Sequence, residues 1–441
     1  MTLAMAIMPT YERYKDSEID WIGDIPEHWE LKPFRALFHF RNEKNDPVKT
    51  DNVLSLSIAN GVTEYTEEGR GGNKRKDDLA AYKLAYPDDI VLNSMNVIVG
   101  AVGLSKYFGA ISPVYYALYL RSEENNIHYF ENTFLDESFQ RGLLRHGKGI
   151  MMKLSGTGKL NTIRMKVSTN DLKKIYFPYP PKAEQDKIVS FLSDKTAQID
   201  EAIGIKEQQI TLLKERKQII IQNAVTKGLN SNPHLKHSSV DWLGDVPSHW
   251  KEVRFKYIFS QSRLPVDPND GVVTAYRDGQ VTLRSNRRMD GYTEAFLEQG
   301  YQGIRNGQLV LNSMDAFEGA IGVSDSNGKC TPEYVVCNPI TDEVSQFYYA
   351  YLLREMALSG YIQVICNAVR QRAVRIRYSN LAPLFMIMPP LDEQNKIVSY
   401  IEVEKAKIKT GILNFEQQIN KLKEYKASLI NNAVTGKIKV I

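Results

Sequence analysis

Basic side chains gather in short runs with glycine and amide residues between them, a composition suited to a nucleic-acid backbone. One run, Arg-Gly-Gly-Asn-Lys-Arg-Lys, supplies Arg70, Asn73, Lys74, Arg75 and Lys76. Arg145, Lys148, Lys153, Lys159 and Arg164 follow through a stretch rich in Gly, Ser and Thr. A second set comprises Arg284, Asn286, Arg287 and Arg288, then Arg370, Gln371, Arg372, Arg375 and Arg377. Twelve of the fifteen basic residues between 238 and 388 are arginine, whose planar fork fits phosphate and guanine edges. Asn73, Asn286 and Gln371 carry the amide that pairs with adenine. For any one cluster the competing reading is a solvated surface with local ion pairs. Paired sets in both halves of the chain favour nucleic acid.

Enzymatic chemistry finds no such support. Gly142-Leu-Leu-Arg-His-Gly-Lys-Gly149 approaches a phosphate-binding loop but lacks the Ser or Thr that ligates magnesium. Gly156-Thr-Gly158 lacks the third glycine of a dinucleotide motif, and both segments read as flexible loops. Asn338-Pro339-Ile340 lacks the second proline and the aromatic of an amino-methyltransferase motif. The seven histidines show no metal-ligand spacing. His28 and His249 stand beside Trp29 and Trp250 in matched motifs, and read as packed corners rather than catalysts, as do Trp21 and Trp242. No nucleophile–base pair is visible, so no catalytic residue and no metal ligand is assigned, and a non-enzyme is the better reading.

The 441 residues suggest two or three domains. Apolar residues at 43% and charged residues at 24% are ordinary globular usage and exclude a mostly disordered chain. No apolar run reaches the ~18–20 residues of a membrane span, and the N-terminal apolar stretch has no basic residue before it, so neither a membrane segment nor a signal peptide is expected. Cys330, Cys337 and Cys366 form no CxxC, which fits a reducing cytoplasm. The net charge of +4 is too small to establish a nucleic-acid binder by itself.

The chain repeats itself. DWIGDIPEHW at 20–29 returns as DWLGDVPSHW at 241–250. VLNSM at 91–95 returns at 310–314, and PPKAEQDKIVS at 180–190 returns as PPLDEQNKIVS at 389–399. The offsets of 221, 219 and 209 drift only through small insertions. A unit of that length is a whole duplicated module, not a solenoid repeat.

Each copy begins with short β-like runs between Gly, Asn and Asp turns, as in Ile90–Leu92, Tyr115–Leu120, Gln308–Leu311 and Leu384–Met388, which predicts a mixed α/β globular domain. Prolines 180–181 and 389–390 end that part. A stretch of ~40 residues without proline follows, with a 3-4 apolar spacing that predicts a long helix and a coiled coil. One seam position takes Leu192, Ile199, Lys206, Leu213 and Ile220; the other takes Thr196, Ile203, Ile210, Lys217 and Ala224. In the second copy they are Ile401, Ile408, Phe415, Leu422 and Leu429, then Lys405, Ile412, Ile419, Lys426 and Ala433. Glu184 and Glu393 suit the first-turn dipole, and Gly228 and Gly436 stop the helices. Lysine at 405, where the first copy has Thr196, makes the helices non-equivalent. Each amphipathic helix needs a partner, and the natural one is its duplicate. The expected organisation is a globular domain at 16–179, a helical region at 180–227, a polar linker at 228–240, a second globular domain at 241–388 and a second helical region at 389–437. Two paired helices then join the globular parts into a pseudo-two-fold whole.

W(I/L)GD(I/V)PxHW opening a variable domain and PPxxEQxKIVS opening a long helix, both present twice in this order, resemble the specificity (S) subunit of type I restriction–modification systems. The resemblance covers nearly the whole chain beyond about the first 15 residues. It implies that the globular parts are target recognition domains, each reading one half of a split DNA site. It implies that the helices pair antiparallel, set the spacing and dock two methyltransferase (M) subunits, with restriction/motor (R) subunits joining that core. S-adenosylmethionine, ATP and Mg are then expected on the partners and no cofactor on this chain, with methyl transfer to adenine N6. Because the two domains differ outside the shared motifs, the site should be asymmetric. The alternatives are a stand-alone pseudo-dimeric DNA-binding regulator and a catalytic nuclease or methyltransferase, which the motifs disfavour.

Overall fold

The computed structural model of the chain describes residues 8–66, 78–150, 153–154, 160–161, 164–287, 300–366 and 375–440. It is mixed α/β and falls into two compact units, Met1–Glu207 with Glu416–Ile441, and Gln208–Phe415. The division cuts through both long helices instead of setting them apart as regions of their own.

In the first unit the strands Phe38–Arg41, Tyr115–Leu120, Ile90–Asn93 and Val102–Leu104 form an antiparallel sheet in that spatial order. In the second unit Phe259–Gln261, Tyr334–Pro339, Leu309–Asn312 and Ile321–Val323 form the same sheet in the same order. The duplication is thus one of topology as well as motif. A helix covers each sheet, Ile127–Leu135 in one and Gln346–Leu358 in the other. Their matched tyrosines are buried and tie helix to helix: Tyr129 Oη donates to the Val434 carbonyl at 2.9 Å, and Tyr348 Oη to the Val225 carbonyl at 2.8 Å.

Those two bonds reveal how the long helices, Lys182–Lys227 and Leu391–Val434, are used. Each starts on the domain that precedes it and ends in the core of the other unit. Ile188, Leu192 and Ile199 share the first core with Leu429, Ala433 and Val434. Ile397 and Ile401 share the second with Ile221, Ala224 and Val225. Within each unit the two helix halves run antiparallel: Lys426 Nζ donates to Asp200 at 2.7 Å in the first, and a Cβ on Gly411 would meet Leu213 at 3.3 Å in the second. Leu192, Ile199, Ile210, Ile401, Ile408, Ile419 and Leu429 are buried, and Ile203, Leu213, Ile220, Ile412, Phe415 and Leu422 are half-buried. The polar seam positions differ between units. Lys426 meets an aspartate, whereas burial and the neighbouring Lys405 and Arg354 depress the Lys217 ammonium below its usual range. Lys405 is instead held by Tyr351 Oη at 2.5 Å and Glu402 at 3.0 Å.

Two expected boundaries shift. The segment 228–240 is not only linker, because Leu235–His237 pairs with Asp245–Pro247 as a strand. The first domain likewise begins before residue 16, since Tyr14–Asp16 pairs with Asp24–Pro26. Among the described residues no helix is long and apolar enough to cross a membrane.

The repeated motifs meet at one corner in each unit. Glu184, in the first turn of its helix, accepts from Trp29 Nε1 at 2.9 Å and Tyr11 Oη at 2.9 Å, and lies 2.6 Å from His28 Nε2. Burial acts to raise this carboxyl, but the bonds from Trp29, His28 and Tyr11 outweigh it and hold the group below its usual range. Glu393 likewise accepts from Trp250 Nε1 at 3.1 Å and lies 2.9 Å from His249 Nε2. The glycine ending the other helix packs under each indole. Gly436 and Gly228 have φ of +73° and +74°, and a Cβ on them would meet Trp29 at 3.0 Å and Trp250 at 3.2 Å. Glycine is needed there for both backbone and space.

Candidate nucleic-acid interface

In the first unit the segment after the helix Glu137–Leu143 is a β-ribbon. Gly147–Ile150 pairs with Arg164–Val167, and Lys153–Leu154 with Leu160–Asn161. The reading of Gly142–Gly149 as a flexible loop is therefore corrected: it is the end of a helix, a 3₁₀ turn and a strand. The ladder puts Lys148 directly opposite Lys166, and Arg164 opposite Ile150. Like charges across a ladder repel, which an anion at that spot relieves. Lys83 belongs to the same field: burial, and then Lys166, lower its ammonium, while its Nζ donates to the Tyr115 carbonyl at 2.9 Å. Asp171 tempers the charge near Lys148; the Ser168 hydroxyl and then the nearby lysines hold its carboxyl low against partial burial. Beside the ribbon's foot, Trp21, Arg141, Arg145, His146, Lys174 and Tyr176 line a cleft of about 410 Å³, with Arg145 paired to Asp20.

The ribbon rejoins the sheet through the duplicated VLNSM turn. Val167 N donates to the Ser94 carbonyl at 3.0 Å. In the second unit Ile376 N donates to the Ser313 carbonyl at 3.3 Å, with Arg375 and Arg377 on either side of it. The basic segments of the two units thus attach at equivalent points. Arg375 Nε lies 3.7 Å from Glu333.

The other cluster of the second unit is tethered to the hairpin Val273–Ala275 and Val281–Leu283. Arg284 Nε donates to Thr274 Oγ1 at 3.3 Å, and Asn286 Nδ2 to Thr282 Oγ1 at 2.9 Å. Arg287 grips Asp278 at 2.8 Å and stacks 4.1 Å over the Tyr276 ring. Arg70, Asn73, Lys74, Arg75, Lys76, Lys159, Arg288, Arg370, Gln371 and Arg372 lie outside the described residues, and for Lys153 and Arg164 the backbone alone is described. Lys83 and Lys166, which the sequence analysis did not single out, join this basic group through the fold. Among the described residues no three His, Cys, Asp or Glu side chains form a metal-binding group.

The family model described as "Type I restriction modification DNA specificity domain" matches residues 26–214, which span the first domain from the first corner to the middle of the first helix. The second copy repeats that domain's motifs and sheet order. The chain is also 23% identical, over 97% of both chains, to the protein assigned as type I restriction enzyme MjaX specificity subunit of Methanocaldococcus jannaschii. Residues 26–214 thus match a type I restriction–modification specificity domain, and along its length the chain is similar to type I specificity subunits. Another relative is the EcoKI specificity subunit of Escherichia coli strain K12, 23% identical over 90% of this chain and 86% of that one. Among solved structures, a chain from work on complex assembly and conformational transition of the type I R-M system is 14% identical, covers 93% of this chain and 98% of that one, and has a TM-score of 0.66. The HsdS subunit of Thermoanaerobacter tengcongensis is 15% identical, covers 94% and 98%, and has a TM-score of 0.51. At these identities the structural likeness speaks for the specificity-subunit fold.

Proposed function

We propose that this chain is the DNA-reading, non-catalytic subunit of a type I restriction–modification enzyme, working in the cytoplasm. Each globular domain reads one half of a split, asymmetric DNA site. The long helices set the distance between the halves and dock two methyltransferase subunits, to which restriction/motor subunits add. S-adenosylmethionine, ATP and Mg act on those partners, and adenine N6 receives the methyl group. The observation that carries the reading is the basic segment anchored at the same turn in both units, on domains that otherwise differ in sequence. Two equivalent anchor points give two readers, and different side chains on them give two different half-sites. Phosphate contacts then supply most of the affinity, and a few side chains supply the base choice.

Lys148 and Lys166 test the phosphate part. Replacing both by Ala removes two charges from one side of the interface. The slope of log K against log salt becomes shallower by about 1.8, at roughly 0.9 per phosphate contact, while the recognised sequence stays the same. Anisotropy titrations of the assembled complex on its site, at several salt concentrations, measure this. An unchanged slope would place the ribbon off the DNA.

A further inference from the structure

Every member of the duplicated Val-Leu-Asn-Ser-Met turn except the last has an internal use. Val91, Leu92, Val310 and Leu311 are fully buried sheet residues. Asn93 Oδ1 accepts from the Met95 amide at 3.0 Å, and Asn312 Oδ1 from the Met314 amide at 3.2 Å, closing the same turn twice. Ser94 and Ser313 are buried, and their carbonyls receive the returning basic segments. Met95 and Met314 are left 36% and 40% exposed.

An isolated exposed apolar side chain needs no explanation. Here the same one stands at the same place in two domains whose next residues have diverged: Asn96, Val97, Ile98 and Val99 against Asp315, Ala316, Phe317 and Glu318. Neither methionine packs into a hydrophobic core of its unit. Their surroundings suggest a role. Through Ser94, Met95 sits one hydrogen bond from Val167, whose neighbour Lys166 faces Lys148. Through Ser313, Met314 sits one hydrogen bond from Ile376, between Arg375 and Arg377. Cations hold phosphates without reading sequence. A flexible, polarizable thioether among them adds apolar contact, and the thymine 5-methyl group is the apolar feature of the major groove.

We propose that Met95 and Met314 are specificity-determining residues, each making an apolar base contact in its own half-site. The proposal rests on the DNA-reading role argued above. The test is methylation, by the full chain assembled with its methyltransferase subunits, of a duplex library randomised across both half-sites. With Met95→Ala, preference at one base pair of one half-site falls roughly tenfold, the scale of a single mismatch, and the other half-site is unaffected. Met314→Ala does the reverse, and the Leu variants keep most of the preference. Unchanged preferences in both Ala variants, or a loss spread evenly over all sequences, would overturn the assignment. The Lys148/Lys166 double variant separates the two failures. If it weakens binding while the Met variants read normally, only the methionine role falls. If it too leaves binding and salt dependence intact, the DNA face itself is misplaced.

Discussion

Trp29→Ala destabilises the first unit by about 3–5 kcal/mol, the usual cost of truncating a fully buried tryptophan, and leaves the second unit unchanged. The indole is completely buried. It joins three chain segments that are remote in sequence: its own turn, the start of the first long helix through Glu184, and the end of the second through Gly436. Removing it opens a cavity against Tyr11, whose ring lies 5.9 Å away edge-on. It also leaves Glu184 with two partners in place of three. Hydrogen exchange read segment by segment is the measurement, with protection lost around 182–200 and 425–436. Trp29→Phe keeps much of the apolar bulk and loses the bond to a carboxylate, so its cost is smaller. Trp250→Ala does the same to the second unit through Glu393 and Gly228. Equal loss of protection in both units from either variant would contradict two separately braced corners.

Glu355 makes the second unit's stability depend on pH in a direction opposite to most carboxylates. It is only 6% exposed, and accepts from Gln218 Nε2 at 2.6 Å on the incoming end of the first long helix. Burial pushes its carboxyl up to about 7, against the Gln218 bond and Arg354, which act to lower it. The folded state therefore holds a proton that the unfolded chain releases near pH 4.5. Stability from this group is complete below about 4.5 and is lost as pH rises through about 7, a swing on the order of 3 kcal/mol. Glu355→Gln, which stays neutral, flattens that slope and stabilises the unit at pH 8. Urea denaturation of both proteins from pH 4.5 to 8, followed by exchange in the second unit, measures it. Parallel curves would mean the carboxylate ionises freely. Its counterpart Asp136 accepts from Asn431 Nδ2 at 3.2 Å, and burial raises it too, so a buried acid meets a helix amide at both junctions.

The duplication, the two long helices and the mixed α/β domains were legible because each rests on a local signal: repeated motifs, a sustained 3-4 spacing, and prolines at fixed points. The exchange of helix ends was not. Residues 429–434 follow the second domain in sequence yet lie in the first core, and chain proximity points the other way. Only the recurrence of NAVT at both helix ends hinted at a shared docking surface. The corner was half legible. Trp29 and His28 read as a packed corner and Glu184 as a dipole partner, but 155 residues separate Trp29 from Glu184, so nothing local joined them. The ribbon was hidden for a different reason. Ladders of two to four residues are too short to show period-two alternation, and the Gly, Ser and Thr between them look like loop.

In the proposed role this chain chooses the DNA sequence on which its partners act. Mapping N6-methyladenine across the genome of cells carrying the gene with its neighbouring methyltransferase, and of cells lacking only this gene, tests it most directly. One split, asymmetric motif is expected to lose its methylation while all other sites keep theirs. An identical map in both strains would contradict it.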